Sequence, residues 1–185
     1  MILPVTVYGD PLLRKVAKPI DKNYERLPDL IANMYDTMYN ADGVGLAAPQ
    51  VGLSIRLFIV DATPAASDEE PDLANFKKAF INPKIISKSG DPWAFEEGCL
   101  SLPNIREEVM REEEVVINYF DENWVEKTET YNGYAARIIL HEYDHLDGKL
   151  FIDYISPLRK RLLKSKLVSI AKGKTNVSYK IKIPG

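Results

Sequence analysis

The sequence predicts a single α+β domain spanning residues 1–185, with antiparallel or mixed β-sheets packed around a central helix and another helix near the C-terminal end. A chain of 185 residues, 45% of them hydrophobic, can bury one sizeable core. Strand-like apolar runs occupy its middle, and helical periodicity occurs near its start, after the strands and near its end. This grouping favours an α+β domain over alternating βαβ units.

The first two thirds of the chain are predicted to hold one helix and three strands. Apolar residues recur at three- and four-residue steps from about Pro28 to Asn40, which indicates a helix. Residues 54–61, five of which are apolar, are typical of a buried strand, and residues 79–86 and 115–120 have strand-like composition. The intervening segment 62–72 is acidic and contains two prolines, so we expect a solvated loop there.

Two further helices are predicted in the last third of the chain. The period changes to that of a helix after Gly133, and the pattern continues to residue 145, where Gly148 can close the helix. A third helix is predicted from Pro157 to about Ala171. Five apolar residues of this third helix are expected on one side: Leu158, Leu162, Leu163, Leu167 and Ile170.

Composition excludes several classes of protein. No stretch approaches the ~20 apolar residues that a membrane span needs. The first residues lack the basic region and apolar core of a secretory signal. The single cysteine, Cys99, cannot form an intramolecular disulfide, so nothing indicates an oxidising compartment. We therefore expect a cytoplasmic enzyme or binding module with no membrane partner.

Charge is unevenly distributed along the chain. Residues 156–185 carry nine Lys/Arg residues and no Asp or Glu. Since the whole chain has 24 basic and 27 acidic residues, the preceding part has 15 basic and 27 acidic residues, a balance of −12. A solvated helix face with a basic tail explains this pattern, and so does a docking surface for RNA or another polyanion. No DNA partner is predicted.

The only two histidines lie four residues apart, in His141-Glu142-Tyr143-Asp144-His145. On a helix, residues four apart share one face, so both imidazoles can reach one metal ion. Glu142 is then placed to act on a bound water as a general base, as in metal-dependent hydrolases. The alternative is a histidine pair without a ligand. Apolar neighbours predict a mostly buried helix, in which such imidazoles would need other partners.

Cys99 is the candidate for a third metal ligand. A hydrolytic metal site needs a third protein ligand and an open position for water, and no histidine remains after His145. Cys99 lies in Glu97-Gly98-Cys99-Leu100-Ser101-Leu102-Pro103, where Gly98 allows close approach of the backbone. A thiolate binds borderline divalent ions well. A lone cysteine is otherwise a small buried apolar residue, and the histidine pair favours the ligand.

A third segment, Gly43-Val44-Gly45-Leu46-Ala47-Ala48-Pro49-Gln50-Val51-Gly52, is rich in small residues and suits a place where another backbone comes close. Its glycine spacing fits neither the Walker A nor the dinucleotide-binding pattern. Gln50 carries the only side-chain amide in the segment, which can donate toward a developing oxyanion. A tightly packed helix-to-strand turn would explain the same glycines without any function.

In combination, these three segments resemble the peptide deformylase family, whose pattern is GφGφAAxQ, then EGCφS, then HEφDH, with φ apolar. Residues 43–50, 97–101 and 141–145 match it in this order, with Tyr143 at an apolar position. The resemblance implies hydrolytic removal of the formyl group from the N-terminal formylmethionine of newly made bacterial or organellar chains. It does not extend to residues 62–72 or to the basic end.

The resemblance also implies roles for the matched residues. Cys99, His141 and His145 would bind one divalent ion, Fe²⁺ in the cell, with Ni²⁺, Co²⁺ or Zn²⁺ also accepted. Glu142 would be the general base and acid, and Gln50 and the Leu100 backbone N–H would donate to the oxyanion. Other residues are expected to bind the substrate peptide: Gly43, Val44, Gly45, Glu97, Gly98, Arg106 and Ile138. Within that set, Val44 and Gly98 would pair with an extended substrate backbone. A methionine side chain also needs an apolar pocket, and we expect Val44, Ile138 and the nearby Tyr134 to line it.

Two other functions remain as alternatives. A zincin-type metalloendopeptidase would take a downstream Glu or His as its third ligand, so that Cys99 would be dispensable for metal binding. A structural metal module would have four protein ligands and no position for water. The deformylase resemblance implies N-formylmethionyl nascent peptides as the substrate. Separately, the nine uncompensated cations of the basic end suggest the ribosome as a partner.

Overall fold

Three α-helices and nine β-strands form the fold in the computed structural model, which describes residues 1–185. The helices are α1 (Leu27–Asn40), α2 (Gly133–Leu146) and α3 (Pro157–Ala171). The strands are β1 (Val5–Thr6), β2 (Gly45–Ala47), β3 (Leu57–Asp61), β4 (Lys77–Ser89), β5 (Trp93–Cys99), β6 (Leu102–Arg111), β7 (Glu114–Phe120), β8 (Glu126–Asn132) and β9 (Ile181–Lys182).

Five of the strands form one antiparallel sheet in the order β2-β3-β4-β7-β8. Strand β3 is buried along its whole length because both of its faces are covered. Leu57 and Ile59 pack in the same cluster as α1, whereas Phe58 and Val60 pack in the cluster that contains α2. The continuous apolar run at residues 57–60 is therefore explained by a sheet with a helix on each face.

The remaining strands form two small sheets. Strands β5 and β6 form an antiparallel hairpin, and β1 pairs in parallel with β9 near the two ends of the chain. The inner face of β6 packs against α3 and the segment before it in a second apolar cluster. The fold is thus a single α+β domain with mixed sheets, as the sequence predicted.

Helix α2 lies at the centre of the fold. Ile138, Ile139 and Leu140 pack on the five-stranded sheet through Phe58 and Phe80. Two polar side chains of the helix, His141 and Asp144, face the β5–β6 hairpin and contact Glu97 and Arg111. The helix ends before Gly148, whose φ of 71° is a conformation that favours glycine. A Cβ there would also lie 2.5 Å from the Arg14 carbonyl oxygen.

The three predicted helices and the three predicted strands are all present. Loop 62–72 contains a short 3₁₀ turn at 63–65, and another begins at Pro71 and ends at Asn75. The structure contains no helix with the length and apolar character that a membrane crossing requires.

One prediction about α3 is wrong. Leu158 and Leu162 are 63% and 62% exposed, so they do not share one side of the helix with Leu163, Leu167 and Ile170 as expected. Leu163, Leu167 and Ile170 follow the i, i+4, i+7 pattern and share the face that packs on the domain. Leu162 lies about 100° around the helix from Leu163 and therefore points to solvent.

Candidate metal centre

The two histidines and the cysteine converge on one point. Helix α2 places His141 and His145 one turn apart, and Cys99 ends strand β5 opposite them. One ligand atom from each of the three residues lies within 4.8 Å of the other two. The Cys99 Sγ and the His145 Nε2 are 3.3 Å apart. Such a set can hold one metal ion with a coordination position left for water.

Glu97 fixes the ring of His141. Its carboxylate oxygen Oε1 lies 2.7 Å from His141 Nδ1, which leaves Nε2 as the ring nitrogen free for a metal. Burial of Glu97 alone would raise its pKa, but hydrogen bonds from His141 and Arg111 hold that pKa well below its usual value. Glu97 is therefore a permanent anion behind the candidate ligand.

The Glu97 carboxylate belongs to a buried ion network. Arg111 donates to both of its oxygens, at 2.7 and 3.0 Å, and Arg137 Nη1 donates to Oε2 at 2.9 Å. Arg111 also donates to Asp144 at 2.8 Å, and Tyr154 donates to the same Asp144 oxygen. The network connects the hairpin to α2 and so fixes the position of Cys99 relative to the two histidines. Sequence reasoning missed Arg111, Arg137 and Asp144.

The environment of His145 fits a metal. Its Nδ1 is buried without a hydrogen-bond partner, and its Nε2 faces the Cys99 sulfur. Burial lowers the pKa of His145 well below its usual value, so the ring is neutral. Burial also opposes a charge on His141, yet the contacts with Cys99 and Glu97 raise the pKa of that ring well above its usual value. A thiol and two imidazoles at this spacing are the donors that a borderline divalent ion prefers.

Glu142 is buried beside the three candidate ligands. It is 5% exposed, and its Oε2 has no hydrogen-bond partner. Burial raises the pKa of Glu142 to about 7, although the neighbouring His141 charge opposes this. A carboxylate with this pKa can both accept and return a proton near neutral pH.

Gly45 makes room for Glu142. A Cβ built on Gly45 would lie 2.6 Å from Glu142 Oε1 and 2.8 Å from its Cγ. The close approach expected in the small-residue segment is therefore made by a side chain of α2.

Gln50 is oriented by its own segment. Its Oε1 accepts from the Ala47 backbone N–H at 2.8 Å, so its amide nitrogen turns toward the site. That nitrogen lies 3.4 Å from Cys99 Sγ and 3.3 Å from Ser101 Oγ. A neutral donor therefore faces the point where the ligands meet.

An open cavity of about 450 Å³ leads to these residues. Its walls include most of the residues singled out from the sequence: Gly43, Val44, Gly45, Gln50, Glu97, Gly98, Cys99, Leu100, Arg106, Tyr134, Ile138, His141 and Glu142. His145 lies behind the wall and is 2% exposed. The walls also contain residues that sequence reasoning missed, among them Phe95, Val177 and Tyr179. The side chain of Glu97 is turned into the ion network, so whether it contacts a substrate stays a prediction.

Comparison with known proteins agrees with this site. The family described as Polypeptide deformylase matches residues 2–161. A curated relative from Christiangramia forsetii, named peptide deformylase, is 58% identical over 100% of this chain and 97% of its own length. One of the same name from Flavobacterium johnsoniae is 54% identical over 98% of this chain and 96% of its own.

Solved structures are similar as well. A peptide deformylase from Legionella pneumophila has a TM-score of 0.81 and 38% identity, with 94% of this chain and 98% of that chain covered. One from Thermotoga maritima has a TM-score of 0.76 and 43% identity, with 85% and 99% covered. The chain therefore belongs to the peptide deformylase family.

Proposed function

We propose that the chain removes the N-terminal formyl group from the formylmethionine of newly made polypeptides by hydrolysis. The observation that carries this proposal is the placement of Glu142 beside Cys99, His141 and His145 at the end of an open cavity. The membership of the family supports the same activity.

Cys99, His141 and His145 would hold one divalent ion, which we propose to be Fe²⁺ in the cell, with Zn²⁺, Ni²⁺ or Co²⁺ as substitutes. Such an ion supplies a Lewis acid and a water molecule of lowered pKa. The thiol argues for a borderline or soft ion over Mg²⁺ or Ca²⁺, which prefer oxygen ligands. Glu97 would keep the His141 ring in place during the reaction.

Glu142 would move the proton. Its partnerless Oε2 can accept a proton from the attacking water and return it to the leaving amine, and its pKa near 7 suits both transfers. The low exposure of this carboxylate excludes bulk water from the transfer.

Two donors would stabilise the tetrahedral oxyanion. The Gln50 amide is directed at the site by its bond to Ala47, and the Leu100 N–H follows directly after Cys99. Donors held in place before the reaction cost no reorganisation at the transition state.

The substrate peptide would lie extended between two strand edges. Strand β2 is an edge of the five-stranded sheet and β5 is an edge of the hairpin. Val44, which directly precedes β2, and Gly98 in β5 both line the cavity and would pair with the substrate backbone. Val44, Tyr134 and Ile138 would form the apolar pocket for the methionine side chain, and Arg106 would contact a carbonyl further along.

The basic end would bring the enzyme to the ribosome, where formylated chains emerge in the cytoplasm. Two cations of the basic end already have partners within the protein: Arg159 donates to Glu107, and Lys166 donates to the Asn104 carbonyl. The exposed face of α3 that carries the remaining cations is available for a polyanion. Binding that weakens steeply with salt would support this role, and binding insensitive to salt would refute it.

The activity can be tested on anaerobically purified protein with elemental analysis and a formyl-Met-Ala peptide. We expect one metal per chain and release of formate. Glu142→Gln should keep the metal and lose nearly all activity, whereas Cys99→Ala should lose the metal. Retention of metal in Cys99→Ala would favour a zincin-type endopeptidase, and full activity of Glu142→Gln would refute the proposed proton transfer.

A further inference from the structure

The C-terminal segment of residues 175–182 returns from α3 to the cavity. Strand β9 pairs with β1, with Val5 opposite Ile181, and this pairing holds the segment in place. Val177 and Tyr179 line the cavity wall. The segment lies beyond residue 161, where the family match ends, so the family pattern assigns it no role.

The turn that carries Leu100 is not one of the types preferred in two-residue hairpin loops. Cys99 pairs with Leu102, so Leu100 and Ser101 form a two-residue hairpin loop. Loops of this length match the strand twist in the types that have φ > 0 at the first central residue, and neither Leu100 nor Ser101 has a positive φ. The register also shifts after Gly98, so the tip is irregular. The tip is therefore not one of the preferred two-residue turns, and contacts from outside the hairpin also restrain it.

Those contacts come from the C-terminal segment and from residues after β1. The Tyr179 hydroxyl donates to the Leu100 carbonyl at 2.8 Å, and the Tyr8 N–H donates to the Ser101 carbonyl at 2.8 Å. The Asn104 amide donates to the Asn176 carbonyl at 3.1 Å. Burial raises the pKa of Tyr179 to about 12, so its hydroxyl stays a donor across the working pH range.

We propose that Tyr179 is a positioning residue for the reaction, whose hydroxyl fixes the Leu100–Ser101 peptide and thereby the direction of the Leu100 N–H. This inference rests on the proposed function, in which that N–H is an oxyanion donor. The Leu100 N–H belongs to the peptide unit that joins Cys99 to Leu100. The pairing of Cys99 with Leu102 restrains the chain before this unit, and the Tyr179 hydroxyl restrains the Leu100 carbonyl after it. The N–H therefore has little freedom to rotate away from the site. Without the hydroxyl, the second restraint is lost.

The test compares Tyr179→Phe with Tyr119→Phe in the metal-loaded enzyme. Each variant loses one tyrosine hydroxyl bond, but Tyr119 donates to Glu129, away from the cavity wall. We expect kcat of Tyr179→Phe to fall about tenfold, less than the loss of an oxyanion donor itself, with KM within about twofold. Tyr119→Phe should keep the wild-type kcat. An unchanged kcat in Tyr179→Phe, or an equal fall in both variants, would overturn the proposal.

A second readout does not depend on activity. Amide hydrogen exchange at Leu100 and Ser101 should be faster in Tyr179→Phe than in the wild type, with metal content unchanged. If Tyr179→Phe fails to fold, Asn104→Asp serves as a second variant. Asp tolerates the φ of 61° at this position but lacks the amide that donates to Asn176. This variant should speed the same exchange. Unchanged exchange in the variants that fold would overturn the proposal. Failure of the wild type to release formate would count against the proposed function alone.

Discussion

Replacing Glu97 with Gln would remove one charge from the buried ion network and change little else in shape. The Glu97 side chain is 4% exposed and is bound by Arg111, Arg137 and His141. With Asp144, the network holds two carboxylates and two guanidinium groups. Glu97→Gln would leave the two buried guanidinium groups with a single carboxylate, that of Asp144, and turn an amide N–H₂ toward an arginine donor.

The expected cost follows from the burial. Breaking a buried charge pair by removing one partner costs about 3–5 kcal/mol, because the remaining charge stays desolvated. Domains are stable by about 5–15 kcal/mol in total, so this is a large fraction. Glu96 provides a matched control, since its side chain is 64% exposed and pairs with the exposed Arg106. Glu96→Gln should change stability by less than about 0.5 kcal/mol.

Urea unfolding of the metal-free proteins at pH 7 would measure both effects. With a slope of about 2 kcal/mol per molar urea, Glu97→Gln should lower the midpoint by about 1.5–2.5 M. In the same variant, metal affinity should fall by about 10- to 100-fold, because the His141 ring loses the anion that orients it. Stabilities of the two variants within about 1 kcal/mol of each other would refute the assignment of Glu97 to the network.

Three further predictions concern other parts of the fold. Gly45→Ala should lower kcat by about 10²-fold with the metal retained, because its Cβ would displace Glu142, and wild-type kcat would contradict this. Burial alone would raise the pKa of Glu129, but its hydrogen bonds to Tyr131, Tyr119 and Lys78 lower it. Glu129 therefore contributes stability above about pH 4.5 that is lost as the pH falls through the lowered value, so the melting temperature of Glu129→Gln should depend less on acid pH than that of the wild type. Ile170→Ala should cost about 2–4 kcal/mol in urea unfolding and Leu158→Ala less than about 0.5, and equal costs would contradict the observed orientation of α3.

Helix α1 and strand β3 were predictable because most of their buried residues are apolar. Helix α1 buries Leu27, Ile31, Met34 and Met38, which recur at helical spacing. Strand β3 is apolar on both faces because helices cover both. In each case the positions of the apolar residues in the sequence match the faces that are buried in the fold.

Strand β6 of the hairpin and the outer strand β8 could not be predicted, each for a different reason. Strand β6 alternates buried and exposed residues, but its buried positions include Glu107 and Arg111, which are satisfied by Arg159 and by Glu97. Because charged residues occupy some of the buried positions of β6, its apolar residues do not alternate regularly, and the hydrophobic pattern does not reveal a strand. Strand β8 has no fully buried residue, so it shows no apolar alternation at all.

The candidate ligands were predictable because their chemistry is carried by short motifs. Arg111 and Arg137 were not, because their shared partner Glu97 lies 14 and 40 residues away in the chain. The same is true of Tyr179, which lies 79 residues from Leu100. Arginine and tyrosine are common residues, and only the tertiary fold distinguishes these from the rest.

The outer strand β8 has a consequence for how molecules of this protein behave toward one another. An unpaired strand edge is a template for addition of a neighbouring chain and so for aggregation. Strand β8 presents the sequence Glu-Lys-Thr-Glu-Thr-Tyr-Asn along this edge, with charges at Glu126, Lys127 and Glu129. The opposite edge, β2, is only three residues long and borders the cavity. One edge of the sheet is thus protected against edge-to-edge assembly by charge, while the other is too short for a second folded sheet to dock.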